Sequence, residues 1–243
     1  TAQRLARLVG ARASTDLSAV RAELIWLCVP DAAIARAARS LAGKLEWKGK
    51  VALHSSGALT SDALAALRSH GAAVASVHPL MTFVRGSQPS LAGVSFAVEG
   101  DARAVRLGRR VVEDLRGHAY SIGKKEKAAY HAWGTFASPL FTALLATTEQ
   151  VAALAGVNPK AAKERMIPIL RQTLANYAAF GAAGAFSGPL VRGDVDTVKE
   201  HLRVLRGSPD ARAVYSELAR AALRYLPVKH RNALKRMLDP SRS

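Results

Sequence analysis

The sequence predicts an α/β domain with a parallel sheet, followed by an all-helical domain. Short β-rich runs alternate with helical stretches of about ten to fifteen residues across 1–122, which is typical of βαβ units with right-handed crossovers. No β-rich run recurs across 123–243, where alanine and leucine dominate at helical spacing. We therefore expect two domains, 1–122 and 123–243.

The individual elements follow from apolar periodicity and from breaks at glycine and proline. Asp31, Asp101 and Asp194 are expected to cap the helices that follow them. The predicted strands are 24–29, 51–54, 74–77, 94–98 and 119–122. The predicted helices are 1–9, 31–41, 60–69, 101–116, 124–156, 159–180, 194–206, 209–225 and 228–238.

The start of the chain departs from a doubly wound nucleotide fold, which opens with a strand, a glycine-rich turn and a helix. The first predicted element is a helix, and the sequence contains no G-x-G-x-x-G motif. We expect a missing βαβ unit of about 30 to 40 residues before Thr1. If the protein began at Thr1, its affinity for a dinucleotide would be poor, because the pyrophosphate would have no helix N-terminus to rest on.

Composition favours an ordinary globular protein of the cytoplasm. Hydrophobic residues make up 49% and charged residues 22%, and the single cysteine, Cys28, lies in an apolar run where a buried, inert thiol is expected. No signal peptide is visible, and polar residues interrupt the longest apolar stretch, 136–157, so we predict a buried helix there and no membrane span.

The net charge of +17 favours anionic ligands. Dinucleotides, carboxylates and nucleic acid all fit such a field. Aromatic residues are only 6% and no basic segment is interleaved with them, so nucleic acid is the disfavoured partner.

Two predicted strands end in segments suited to a cofactor. Val29 and Pro30 follow the first strand, at the end where open α/β sheets bind ligands, and Ser55, Ser56 and Gly57 follow the second. Small hydroxyl side chains and a glycine allow a flat ring to approach and supply hydrogen-bond donors to it. The alternative is that both segments are plain turns, which serine and glycine commonly form.

Further polar residues are candidates for catalysis or substrate binding. His78 ends the third strand and is a possible donor or acid, although a structural histidine is the commoner outcome. Lys127 and His131 are four apart on a helix and so lie on one face. When a C=O or C=N bond receives a hydride, its heteroatom gains negative charge or needs a proton, and an ammonium beside an imidazole could stabilise that charge and supply that proton. Ser138 falls on a similar face. A solvated lysine beside a partly buried histidine is the alternative.

A glycine- and proline-rich connection, 187–194, contains Arg192, which could clamp a carboxylate unless it is simply an exposed side chain of a capped loop. No cysteine–histidine cluster has the spacing of a metal site, and neither a P-loop nor a G-x-S-x-G elbow occurs, so we predict no metal and no hydrolase.

Five ordered motifs resemble a bacterial family of Rossmann-like oxidoreductases whose helical C-terminal domain is of unknown function. They are LCVPDAAI at 27–34, HSSGALTSDAL at 54–64, VHPLMTF at 77–83, KAAYHAWGTFAS at 127–138 and GPLVRGDVDTVKEHL at 188–202. More distantly, the layout is similar to pyrroline-5-carboxylate reductase and to the 6-phosphogluconate dehydrogenase superfamily, which implies a 6-phosphogluconate-dehydrogenase-like helical domain.

The resemblance implies that Val29 and Pro30 contact the cofactor and that residues 55–57 lie near the nicotinamide. It also implies that Lys127 and His131 approach the hydride-transfer position and that the helical domain forms a homodimer. Two positions depart from the pattern. His131 stands where β-hydroxyacid dehydrogenases carry an asparagine, and Pro139 stands where related sequences often have an asparagine after Ala-Ser.

Two hypotheses follow. The first is an oxidoreductase that uses NADP or NAD, with NADP favoured, to transfer a hydride to or from a small anionic keto acid or imine. The second is a non-catalytic, dimeric binding or scaffold protein with a degenerate nucleotide site.

Overall fold

A computed structural model describes residues 2–17 and 20–238 of the chain. These residues form two compact units, one up to Ser138 and one from Pro139, which we call the sheet unit and the helical unit. The predicted domain boundary at 122/123 lies where the last strand ends, and the sheet unit continues through the next helix.

The sheet unit contains one five-stranded sheet with the order β1-β2-β3-β4-β5. The strands are β1 (Leu24–Leu27), β2 (Val51–His54), β3 (Ala73–Pro79), β4 (Ser95–Gly100) and β5 (His118–Ser121). All five were predicted, with β1 ending two residues earlier than expected. The α/β, Rossmann-like class is therefore confirmed.

One pair of strands corrects the prediction of a parallel sheet. β1, β2 and β3 are parallel and β4 is parallel to β5, but β3 and β4 are antiparallel, with Pro79 opposite Phe96. The connection 80–94 contains no helix. Without a crossover helix the chain turns back at the same edge, so β4 runs against β3.

Four α-helices belong mainly to the alternating part of the sheet unit: α1 (Ala2–Leu8), α2 (Asp31–Ala42), α3 (Ala65–Arg68) and α4 (Ala102–Asp114). The helix predicted at 60–69 is a 3₁₀ turn, Ser61–Leu64, that leads into α3. Asp31 is not the cap that was predicted. Pro30 occupies the cap position, and the Asp31 carboxylate accepts a hydrogen bond from Ser56 instead.

Both faces of the sheet are covered, as parallel strands require. On one face Val74 packs in a cluster with Ile34 and Ala38 of α2. On the other face Val77 packs with Val112 of α4. Neighbouring buried strand residues alternate between the two clusters, in keeping with the two-residue period of a strand.

Up to residue 238, the helical unit contains six α-helices: α6 (Phe141–Leu154), α7 (Pro159–Ala185), α8 (Pro189–Arg192), α9 (Val195–Val204), α10 (Pro209–Tyr225) and α11 (Arg231–Leu238). Its core includes Val198 and Leu202 of α9, Leu223 of α10 and Leu234 of α11. The all-helical prediction for this part is confirmed, and Asp194 caps α9 through the Thr197 backbone N–H.

The helix predicted at 124–156 is divided into several segments. A 3₁₀ turn, Lys124–Glu126, leads into α5 (Lys127–Thr135), and a π-helical segment, Phe136–Leu140, separates α5 from α6. Pro139 lies in that segment, and its missing N–H and its ring disfavour a regular helical turn there.

No single helix within residues 2–17 and 20–238 is long and apolar enough to cross a membrane. One sharply bent helix pair, Lys124–Leu154 with Pro159–Arg192, meets the requirement by length and composition.

Candidate active site at the edge of the sheet

Three strands end at one edge of the sheet. β1, β2 and β3 are parallel and in register, with Leu27 beside His54 and His54 beside Ser76, so their carboxyl ends share this edge. Val29 and Pro30 follow β1 there, and both are exposed. Their cofactor contact stays a prediction. Cys28 is also exposed, so the expectation of a buried thiol was wrong, because β1 ends at Leu27.

Side-chain hydrogen bonds hold the turn after β2 in place. Trp26 Nε1 donates to Ser55 Oγ at 2.8 Å, and Ser56 Oγ donates to the Asp31 carboxylate at 2.7 Å. Ser56 is buried, whereas Ser55 is partly accessible. The Ser56 hydroxyl therefore stabilises the turn, and Ser55 is the hydroxyl that a ligand could reach.

Gly57 lies against two histidines from other segments. A Cβ atom at this position would lie 2.8 Å from His78 Nε2 and 2.8 Å from His131 Cδ2. Only glycine permits so close an approach of backbone and side chains. Three segments that the sequence singled out separately, at 55–57, 78 and 127–131, therefore converge on one point of the sheet unit.

Lys127 is buried beside this turn, with only 1% of its surface exposed. Its ammonium donates hydrogen bonds to the Ser56 carbonyl oxygen at 2.8 Å and to Ser76 Oγ at 2.7 Å. Burial lowers the pKa of Lys127 to about 8, and the negative charges of Glu99 and Asp31 oppose that shift. The predicted catalytic role of Lys127 stays a prediction, and the contacts give it a position inside the protein next to the turn.

Glu99 is a buried carboxylate in the same region. It accepts hydrogen bonds from the Ser61 backbone N–H at 2.5 Å and from the Ser61 hydroxyl at 2.9 Å. Its charge favours the protonated form of Lys127. A buried carboxylate with such donors offsets part of the cost of burying an ammonium.

His78 is bonded to a tyrosine of α5. Its Nδ1 lies 2.7 Å from the Tyr130 hydroxyl, and the two rings meet edge to face. Burial, together with the positive charges of Lys127 and His131, lowers the pKa of His78 to about 4. Burial also raises the pKa of Tyr130. At neutral pH both groups are therefore uncharged.

His131 differs from Lys127 in its environment, although the two are one helical turn apart. His131 is exposed at the surface of α5, where its ring lies beside Gly57. The expectation that both side chains serve one location is consistent with their contacts to the same turn. His131 reaches it from solvent, and Lys127 reaches it from the interior.

Tyr130, Ser76 and Glu99 were not identified from the sequence. Tyr130 is three residues after Lys127, where an aromatic residue on the buried face of a helix looks like ordinary core. Ser76 and Glu99 lie inside strands, and polar residues at buried strand positions were the one signal that could have found them.

Two predicted substrate-binding residues lie away from these contacts in the chain. Ser138 is the last residue of the sheet unit and is partly buried in the π-helical segment. Arg192 belongs to the helical unit, where its guanidinium lies 3.9 Å from the Asp194 carboxylate. Both roles stay predictions. Within the described ranges, no group of three or more histidine, cysteine, aspartate or glutamate side chains could hold a metal ion.

Two family models match the chain. One is described as a domain of unknown function, DUF2520, and matches residues 94–222, more than half of the chain. The other is described as a Rossmann-like domain and matches residues 2–79. The resemblance inferred from the five sequence motifs is thereby confirmed. No curated protein matches the chain.

Solved structures share the fold at low sequence identity. Protein TM1727 from Thermotoga maritima is 23% identical, with a TM-score of 0.73, and the match covers 98% of this chain and 87% of that one. A reductive aminase from Aspergillus terreus in complex with NADPH and ethyl levulinate is 15% identical, with a TM-score of 0.61, covering 98% and 88%. A pyrroline-5-carboxylate reductase from Coxiella burnetii is 13% identical, with a TM-score of 0.53, covering 96% and 83%.

Proposed function

The chain belongs to the DUF2520 family, and from that membership and the site in its sheet unit we propose that it is an NAD(P)H-dependent reductase of a C=O or C=N bond. One observation carries the proposal: Gly57, His78 and His131 meet at the carboxyl edge of the sheet, with the Lys127 ammonium bonded to the same turn. Open α/β sheets bind their ligands at this edge.

The residues at this edge suit the nicotinamide half of a dinucleotide. Val29 and Pro30 offer an exposed apolar surface, and Ser55 offers a partly accessible hydroxyl. When bound, the nicotinamide supplies or accepts the hydride. The sequence has no glycine-rich turn that could bind the pyrophosphate. The residues named here therefore account for binding of the nicotinamide end of the cofactor only. The NADPH named with the Aspergillus terreus aminase favours NADP over NAD.

Lys127 acts on the reaction through the peptide bond between Ser56 and Gly57. The Ser56 carbonyl accepts hydrogen bonds from Lys127 and from Ser76 Oγ at 3.1 Å. Because that peptide bond is trans, the Gly57 N–H points away from these donors. It forms no hydrogen bond within the described parts of the chain. Hydrogen bonding at the carbonyl polarises the peptide and strengthens this free N–H as a donor.

His131 is the candidate proton donor. It is exposed and borders Gly57, and an imidazole is a common general acid in enzymes. When a hydride adds to the carbon of a C=O or C=N bond, the oxygen or nitrogen either becomes negatively charged or must be protonated. His131 would supply that proton while Gly57 N–H and Lys127 provide a favourable electrostatic field. The net charge of +17 makes a small anionic keto acid or imine a suitable substrate.

Calorimetric titration of the full-length protein with NADPH and with NADH tests the proposal. We expect saturable binding, tighter for NADPH. Lys127→Ala and His131→Ala should lower kcat by about 100-fold or more and leave cofactor affinity nearly unchanged. Lys125→Ala, at an exposed neighbouring lysine, is the matched control and should behave as wild type. No saturable binding of either nucleotide would refute the reductase.

We further propose that the helical unit forms the interface of a homodimer. Ile169, Leu174, Tyr177 and Phe180 of α7 are all largely exposed, and Phe180 is 69% accessible. The same unit contains an apolar groove of about 770 Å³, whose wall includes Leu218. A second copy would cover such surfaces, since large exposed apolar patches are uncommon on monomers.

These apolar surfaces also support the alternative of a non-catalytic dimeric scaffold. The two functions differ in the response of the site variants. A scaffold would keep its dimerisation in Lys127→Ala and His131→Ala, because neither residue belongs to the helical unit.

A further inference from the structure

The hydroxyl group of Tyr130 contacts the ring of His78. Its side chain is 5% exposed, and its hydroxyl lies 2.7 Å from Nδ1 of His78 and 3.4 Å from the His78 carbonyl oxygen. Its ring also meets those of Tyr120 and Trp133 edge to face. The hydroxyl is therefore held at one place, next to the imidazole.

The Tyr130 contact provides a basis for assigning the proton of the His78 ring to one of its two nitrogens. A buried phenol with a raised pKa stays protonated, so it has one O–H to donate. We assign that proton to the contact with Nδ1 at 2.7 Å rather than to the contact with the His78 carbonyl oxygen at 3.4 Å, because the first is the shorter. An Nδ1 that accepts leaves the single proton of the neutral imidazole on Nε2.

The Nε2 atom of His78 faces the turn after β2. It would lie 2.8 Å from a Cβ atom on Gly57. In the described ranges of the chain, no hydrogen bond to this nitrogen is formed. This nitrogen is not fully buried, so a ligand can reach its N–H.

We infer that Tyr130 is a positioning residue, which holds His78 in the Nε2–H tautomer and so presents a neutral N–H donor at the Gly57 turn. This inference rests on the proposed function for the identity of the acceptor, which is the oxygen or nitrogen of the bond that receives the hydride. A neutral imidazole N–H stabilises developing negative charge by hydrogen bonding, without giving up its proton. His78 and His131 then have different roles. His78 polarises the C=O or C=N bond, and His131 supplies the proton.

The chain contains a second histidine–tyrosine pair that serves as an internal control. His201 Nδ1 lies 3.1 Å from the Tyr215 hydroxyl, and these rings also meet edge to face. That pair belongs to the helical unit. Removing the Tyr215 hydroxyl should therefore leave His78 unchanged.

Nitrogen-15 NMR of labelled histidine in the full-length protein at pH 7 distinguishes the two tautomers. We expect Nε2–H at His78 in the wild type, a mixture of tautomers in Tyr130→Phe, and no change at His78 in Tyr215→Phe. In Tyr130→Phe, kcat should fall about ten-fold with the Kd of NADPH unchanged. Unshifted signals of His54, a buried histidine in the same unit as Tyr130, would verify that the sheet unit of the variant is folded.

An Nδ1–H tautomer at His78 in the wild type would overturn the inference, as would an unchanged tautomer or an unchanged kcat in Tyr130→Phe. Failure of the proposed function gives a different result, namely no binding of NADPH or NADH by the wild type. The tautomer measurement needs no turnover, so it decides the role of Tyr130 in either case.

Discussion

The Nζ atom of Lys127 lies 2.8 Å from the carbonyl oxygen of Ser56. This hydrogen bond joins the first turn of α5 to the end of β2, and it places a buried positive charge next to the residues that meet at Gly57. The charge lowers the proton affinity of His78 and polarises the Ser56–Gly57 peptide.

Gly57→Ala should damage the site more than the fold. The new methyl group would lie 2.8 Å from His78 Nε2 and from His131 Cδ2, so both imidazoles must move away. We expect kcat to fall by about 100-fold, because displacements near 1 Å have effects of that size. Steady-state kinetics and a denaturant titration measure the two quantities.

Gly43→Ala is the matched control for that substitution. Nothing lies within 4 Å of a Cβ atom at position 43, and its φ of −88° suits any residue. It should leave kcat unchanged. Equal kinetics for Gly57→Ala and Gly43→Ala would contradict the close approach of the two histidines.

Lys127→Met should change how stability depends on pH. The folded protein holds the pKa of Lys127 at about 8, below the ordinary value of 10.5. Between those values the unfolded chain binds more protons, so the stability of the wild type rises with pH there, relative to the variant. The slope should approach about 1.4 kcal/mol per pH unit. Urea titrations of both proteins from pH 7 to 10.5 measure it, and parallel curves would contradict a buried ammonium.

His78 should titrate far below an ordinary histidine. We expect a pKa of about 4, because the ring is buried and faces the positive charges of Lys127 and His131, with a smaller effect from His54 and an opposing one from Asp31. The neutral ring then contributes stability that is complete above pH 6.5 and is lost as the pH falls toward 4. Histidine NMR should show the pKa of His78 rising in Lys127→Met. An unchanged value would mean that the two groups are not electrostatically coupled.

Phe180→Glu should dissociate the homodimer. The residue is largely exposed on α7, and a carboxylate there would be costly to bury against a second copy. Analytical ultracentrifugation should give a dimer for the wild type and a monomer for the variant. Phe83→Glu, at a phenylalanine of the sheet unit that is 57% exposed, should remain dimeric. A monomeric wild type would contradict the proposed homodimer.

The sequence predicted most elements, because their apolar periods are clear and glycine and proline mark their ends. It could not predict the direction of β4, since a strand pattern is the same in both directions. It also assigned Asp31 to a cap. The carboxylate has an alternative partner, Ser56, that only the folded arrangement brings to it.

The residues of the candidate site were predicted from the sequence, but the hydrogen bonds that hold them in place were not. Ser56, Gly57, His78, Lys127 and His131 were all identified, yet nothing in their spacing indicated that Lys127 is buried. A lysine on an amphipathic helix usually reaches solvent. The partners that hold these residues in place are buried polar groups, whose positions depend on the packing of sheet against helix.

The most direct test of the central claim is to follow the histidine ring signals of the full-length protein by NMR during a titration with NADPH. The signals of His78 and His131 should shift saturably, whereas those of His70, which precedes the amino end of β3, should stay in place. Saturable binding that leaves His78 and His131 unmoved would show that the cofactor lies elsewhere and would contradict the proposed active site.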